Sequence, residues 1–174
     1  METVKLSLTV NGKDTGPHEI PASLPMVDFL NDIMGLTGTK FSCGIGVCHA
    51  CVVIVDDPAG TSRTMRTCIN GAAAFDGKTI RTVEGHAADG SLSKVQQAFV
   101  DHFSFQCGYC TPGFINETTR FIEDLARNPI SKDRVEEAIA AALGDHICRC
   151  TGYVRYYRAV RDLILSDHRL TKEG

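Results

Sequence analysis

The chain has 174 residues, 43% of them hydrophobic, enough to bury the core of one ordinary domain or two small ones. The net charge is −3 with no block of basic residues, which argues against nucleic acid as a partner, and no apolar run approaches the ~20 residues of a membrane span. The opening METVKLSLTV has neither a basic segment followed by an apolar one nor a twin arginine, so the cytoplasm is the expected compartment. The periplasm is the alternative, reached by co-export with a signal-bearing partner.

The first half reads as strand-rich. VKLSLTV alternates Val4, Leu6, Leu8 and Val10 with polar neighbours, the period of a half-buried strand. Asn11-Gly12 is a hairpin signal and HEI is the returning strand. PMVDFLNDIM reads as a short helix opened by Pro25 and ended before Gly35. VVIVDD and KTIRTV complete the strands.

The second half changes to a helical period. SLSKVQQAFVDHF places Leu92, Val95, Phe99 and Phe103 on one face. The next helix has Thr111 as N-cap, Pro112 at its first position and a stripe of Phe114, Ile115, Thr118, Phe121, Ile122 and Leu125. A third starts at Ser131 and stops at Gly144, read as a left-handed cap glycine. A fourth carries Val154, Tyr157, Val160, Leu163 and Ile164. The expected class is therefore α+β: a strand-rich domain over 1–84, then an all-α four-helix bundle over 85–174, joined near EGHAADGS.

Eight cysteines divide into two groups of four, with none left over. Cys43, Cys48, Cys51 and Cys68 follow C-x4-C-x2-C and then a distant fourth, the plant-type ferredoxin spacing. A two-iron, two-sulfide cluster needs thiolates around a shape longer than one ion, and a tight loop plus one remote ligand meets that need. Gly44 and Gly46 permit the positive φ angles that turn backbone N–H groups toward a negative cluster. Zinc and disulfides remain alternatives on spacing. GIGVCH starts like a dinucleotide fingerprint but has His49 where the third glycine belongs.

Cys107 and Cys110 in QCGYCTPG, with Cys148 and Cys150 in CRCTGY, form the second group. Both segments precede expected helix starts, whose positive dipole ends are expected to lower the thiol pKa values. Spacing alone leaves this group open between tetrathiolate zinc and an iron–sulfur cluster.

Taken in order, CGIGVCHAC, Cys68 in RTC, QCGYCTPG and CRCTGY resemble the iron–sulfur subunit of the molybdenum hydroxylases, the xanthine dehydrogenase and aldehyde oxidoreductase family. The resemblance runs from VNGK to YVRYYRAV and uses every cysteine. It implies a β-grasp ferredoxin-like domain holding one [2Fe–2S] cluster and a four-helix domain holding a second. It implies a large molybdopterin-binding partner subunit, with Gln106 and Cys150 near the pterin. It further implies an electron relay with no substrate-converting site on this chain. The acceptor would be a flavin subunit, a c-type cytochrome or a soluble carrier, and the substrate an aldehyde or N-heterocycle.

The first loop departs from the family form GCGxGxCGACTV. Ser42 replaces the leading glycine, His49 the glycine after the second cysteine, and Val52 the threonine. His49 is expected as a surface or partner-contacting side chain, and His102 and His146 as supporting or surface groups, none of them an iron ligand. The rival readings are a zinc-stapled interaction module without redox role and a stand-alone two-cluster ferredoxin.

Overall fold

The computed structural model describes residues 2–87 and 90–173. Two residues of the expected junction, Ala88 and Asp89, lie outside them. The described chain is a mixed α/β arrangement of one main sheet and several helices.

The first half builds a five-stranded sheet in the order β2-β1-β5-β3-β4. Strands β1 (Thr3–Val10) and β2 (Lys13–Pro21) pair antiparallel. They turn at Asn11 and Gly12, whose φ values of 50° and 78° suit a right-twisted hairpin. Strand β2 extends well beyond HEI. Strands β3 (Val52–Asp56), β4 (Ser62–Arg66) and β5 (Thr79–Arg81) complete the sheet, with β5 parallel to β1 and antiparallel to β3. Helix α1 (Met26–Asp28) continues as one π turn through Ile33 and packs Met26, Phe29 and Leu30 against Leu6, Leu8, Val53, Val55 and Ile80.

Strand β3 explains its own sequence. Val52, Val53, Ile54 and Val55 are all buried, because α1 covers one face and a helix of the second half covers the other. A strand covered on both faces reads as a continuous apolar run, not as an alternation.

The second half holds helices α2 (Lys94–Asp101), α3 (Thr111–Arg127), α4 (Val135–Leu143) and α5 (Val154–Ser166) around a second core. A full capping box starts α2: the Ser93 hydroxyl accepts from the Gln96 N–H, and the Gln96 side chain accepts from the Ser93 N–H. Several expected details differ. Helix α2 ends at Asp101, so Phe103, with φ 49°, turns outward and is 71% exposed; Leu92 precedes the helix and is exposed too. Cys110, not Thr111, caps α3. Ser131 lies in a short strand paired with 171–172, and α4 starts only at Val135. Gly144 keeps right-handed helical angles, φ −62°, so it is not a left-handed cap. On α5 Val160 and Ile164 of the expected stripe are fully buried, but so is Tyr156, outside that stripe, whereas Val154 is 62% exposed.

Helix α3 joins the halves. The Asn116 amide donates to the Val52 carbonyl at 2.7 Å and contacts a His86 ring nitrogen at 2.7 Å. The Thr64 hydroxyl donates to Glu117 at 2.8 Å. The Arg81 guanidinium spans Asp56 on β3 and Glu123 on α3, at 2.8 and 2.6 Å.

Candidate metal centres

All eight cysteines are thiols. Among the described residues, no three His, Cys, Asp or Glu side chains converge where a single metal ion would sit. The thiols meet in pairs instead. The sulfurs of Cys150 and Cys107 lie 3.5 Å apart. In each remaining pair one thiol is perturbed by its neighbour: Cys43 by Cys48, Cys68 by Cys51 and Cys110 by Cys148. Two thiols per position and two positions per group suit a two-iron cluster better than one tetrahedral ion.

The first group lies on the loop between α1 and β3. Gly44 and Gly46 take φ values of 68° and 75°. Those angles aim N–H groups inward. Burial raises the Cys43 pKa, but the N–H groups of Ile45, Cys48 and Val47, with the Cys48 thiol, outweigh it and bring Cys43 to about 6. The result is a thiol ready to ionise inside a ring of donors, as a negative cluster requires. Cys68 moves the other way, to about 11, through burial and the neighbouring Cys51.

Thr67, which nothing in the sequence singled out, sets that contact. It is fully buried, and both its hydroxyl (2.8 Å) and its N–H (3.3 Å) donate to the Cys51 carbonyl. The next residue, Cys68, is thereby held beside Cys51.

The second group is split. Cys107 and Cys110 precede α3, while Cys148 and Cys150 lie between α4 and α5. The helix N-terminus does not lower Cys110 as expected. Burial pushes it up to about 12, against a partial offset from the Tyr156 hydroxyl at 3.6 Å. Desolvation therefore wins over the dipole there. Cys148 is lowered: burial opposes this, but the Thr151 hydroxyl at 3.1 Å and the N–H groups of Thr151 and Cys150 prevail. The Cys148 N–H donates to the Tyr153 hydroxyl at 3.2 Å, and Tyr153 takes φ 71° to reach it. The Tyr156 hydroxyl also meets Thr111 at 2.8 Å, and its ring stacks on Phe114 at 4.1 Å. Gln106 is exposed beside Cys107, at the same end as exposed Cys150.

The two groups adjoin. The Ile147 N–H donates to the Cys48 carbonyl at 3.1 Å, and the Tyr109 hydroxyl donates to the Phe41 carbonyl. Gly113 is required where α3 meets the first loop, since a Cβ there would lie 2.3 Å from the His49 carbonyl oxygen. His49, expected at the surface or against a partner, is only partly exposed in this chain. It is half-buried, with φ 57°, and meets His146 edge to face with centroids 5.0 Å apart. His146 is 2% exposed, donates through Nε2 to the Gly113 carbonyl at 3.2 Å, and is pushed down to about 3 by burial and then by His49. His102 sits between the Ala98 carbonyl and Asp162, away from both cysteine groups.

The cysteine arrangement and fold define an iron–sulfur protein. A family model described as a [2Fe-2S] binding domain matches residues 82–161, which include the second cysteine group. The xanthine dehydrogenase iron-sulfur-binding subunit of Escherichia coli O157:H7 is 37% identical over 92% of this chain and 94% of its own length. The crystal structure of quinoline 2-oxidoreductase from Pseudomonas putida 86 contains a chain that superposes with TM-score 0.80 at 32% identity, covering 97% of both chains. The aldehyde oxidoreductase of Desulfovibrio desulfuricans ATCC 27774 matches with TM-score 0.76 at 30% identity, over 99% of this chain but 18% of that one. The chain belongs to the family of iron–sulfur subunits of the molybdenum hydroxylases.

Proposed function

We propose that this chain is the electron-transfer subunit of a molybdenum hydroxylase and holds two [2Fe–2S] clusters. Cys43, Cys48, Cys51 and Cys68 hold one in a β-grasp ferredoxin-like domain over 1–84. Cys107, Cys110, Cys148 and Cys150 hold the other in a four-helix domain over 85–174. When bound, the clusters supply reversible one-electron chemistry. The residues fix where they sit, how wet they are and which N–H groups face their sulfurs.

The observation that carries this reading is the pairing of thiols, two pairs per group, with no single-ion site among the described residues. The adjoining groups support a relay, since one hydrogen bond joins Cys48 to the residue before Cys148.

Gln106, Cys107 and Cys150 form the exposed end of the second group, and that end faces the pterin of a large catalytic partner. The aldehyde oxidoreductase match supports such a partner, because this chain equals less than a fifth of that polypeptide. Electrons leave through the first group to a flavin subunit, a cytochrome or a soluble carrier. Relatives named for quinoline and xanthine favour an N-heterocycle as substrate, with an aldehyde as the other class. No helix among the described residues is long and apolar enough to cross a membrane.

The test is metal and sulfide analysis of the full chain purified with its partners. About four irons and four sulfides per chain, with two reduced-state EPR signals, are expected. A colourless protein holding zinc refutes the reading.

A further inference from the structure

One thiol pair differs from the other three. Cys48, Cys51 and Cys148 are buried, so three of the pairs contain a shielded thiol. Cys107 and Cys150 are both exposed, with their sulfurs 3.5 Å apart. Both lie on bends outside any helix or strand, and Gly108 beside Cys107 takes φ 78°. Closing them to a disulfide's ~2.0 Å asks for roughly 1.5 Å of movement, taken up by loop backbone that carries no sheet ladder.

We propose that Cys107 and Cys150 form a disulfide in the chain before metal insertion, and that this bond closes the second cysteine site to cluster loading until a dithiol reopens it. The inference rests on the reading of these thiols as cluster ligands. With a peroxide as oxidant, each thiol gives up a proton and an electron and the S–S bond forms. The O–O bond of hydrogen peroxide breaks and takes both protons and both electrons, leaving two waters. A dithiol reverses the step by exchange, becoming the disulfide itself. The bond would span 43 residues and tie the start of α3 to the segment before α5. It would leave the first group untouched, because no cysteine there contacts Cys107 or Cys150.

The test takes the full-length chain, free of metal and reduced, and exposes it anaerobically to equimolar hydrogen peroxide. Peptide mapping without reductant should find Cys107 joined to Cys150 as the dominant cross-link. Iron and sulfide reconstitution should then load about half the iron taken up by the untreated chain, and a dithiol should restore the rest. Cys48→Ser should leave the cross-link unchanged, and Cys107→Ser should abolish it. A different dominant cross-link, or equal iron in treated and untreated chains, overturns the proposal. Failure of the reduced chain to take up iron instead refutes the ligand reading and removes what the disulfide would gate.

Discussion

His49 and His146 meet edge to face at 5.0 Å, placing an imidazole from the first cysteine loop against one from the segment before Cys148. Two effects of similar size oppose each other at His49. Its left-handed φ of 57° costs about 1 kcal/mol against glycine, and the aromatic contact returns about 1 kcal/mol. His49→Gly is therefore expected to change the thermal midpoint little. A double-mutant cycle with His146→Asn should reveal a coupling of about 1 kcal/mol. Strict additivity of the two single changes would show that the stack stabilises nothing.

Gly113→Ala should be far more costly. Its Cβ would meet the His49 carbonyl oxygen at 2.3 Å, and the obstacle is backbone, so α3 or the first loop must shift. We expect a loss of about 3 kcal/mol, read from denaturant unfolding, and, on the proposed two-cluster reading, an altered magnetic interaction between the reduced centres. A variant with the parent's midpoint and EPR spectrum would contradict the packing described.

The cysteine groups should be separable. Cys43→Ala should remove one reduced-state EPR signal and lower iron by about half, while the other signal stays. Loss of both signals would mean that one shared site, not two, holds the metal.

Tyr156→Phe removes a hydroxyl that meets both Thr111 and Cys110. The ring stack on Phe114 remains, so the cost should be about 1–2 kcal/mol. The spectral signature of the second cluster should shift while the first keeps its own. Equal shifts in both would place Tyr156 outside the second group's surroundings.

His86 predicts a pH dependence. Burial holds its pKa below the ordinary 6.5; Arg81 adds to the depression, while Asn116, Glu123 and Asp56 oppose it. The unfolded chain therefore takes up this proton first as pH falls. The interaction is intact above about pH 6.5 and is lost progressively below it. His86→Gln should flatten the fall in thermal midpoint between about pH 7 and about pH 5. An unchanged slope would assign that fall to other groups.

Much of this was readable in the residues. Val4 to Val10 alternated, Asn11-Gly12 turned, and the first cysteine group followed the plant-type ferredoxin spacing, while the spacing of the second left zinc and iron open. What escaped depended on distant partners. Strand β4, SRTMR, has no alternation to detect because its neighbour β3 supplies the pairing and the core. Thr67 gives no local signal, since its value lies in two hydrogen bonds to a residue far back in the chain. Cys110 misled because a helix start is visible in sequence, but the desolvation that overrides it is not. His49 looked like an outward departure because its partner, His146, is nearly a hundred residues away.

The two cysteine groups also differ in how they come into being. Three members of the first fall within one short loop, and Thr67 draws in the fourth. The second draws its members from either side of α3 and α4, 43 residues apart at the widest pair measured. Closing a longer loop costs only ~0.6 kcal/mol more per doubling, so the penalty alone does not separate them. Timing does: the first can be assembled by a local segment, whereas the second does not exist until three helices have docked. On a growing chain the N-terminal cysteine group can come together before the other has its shape.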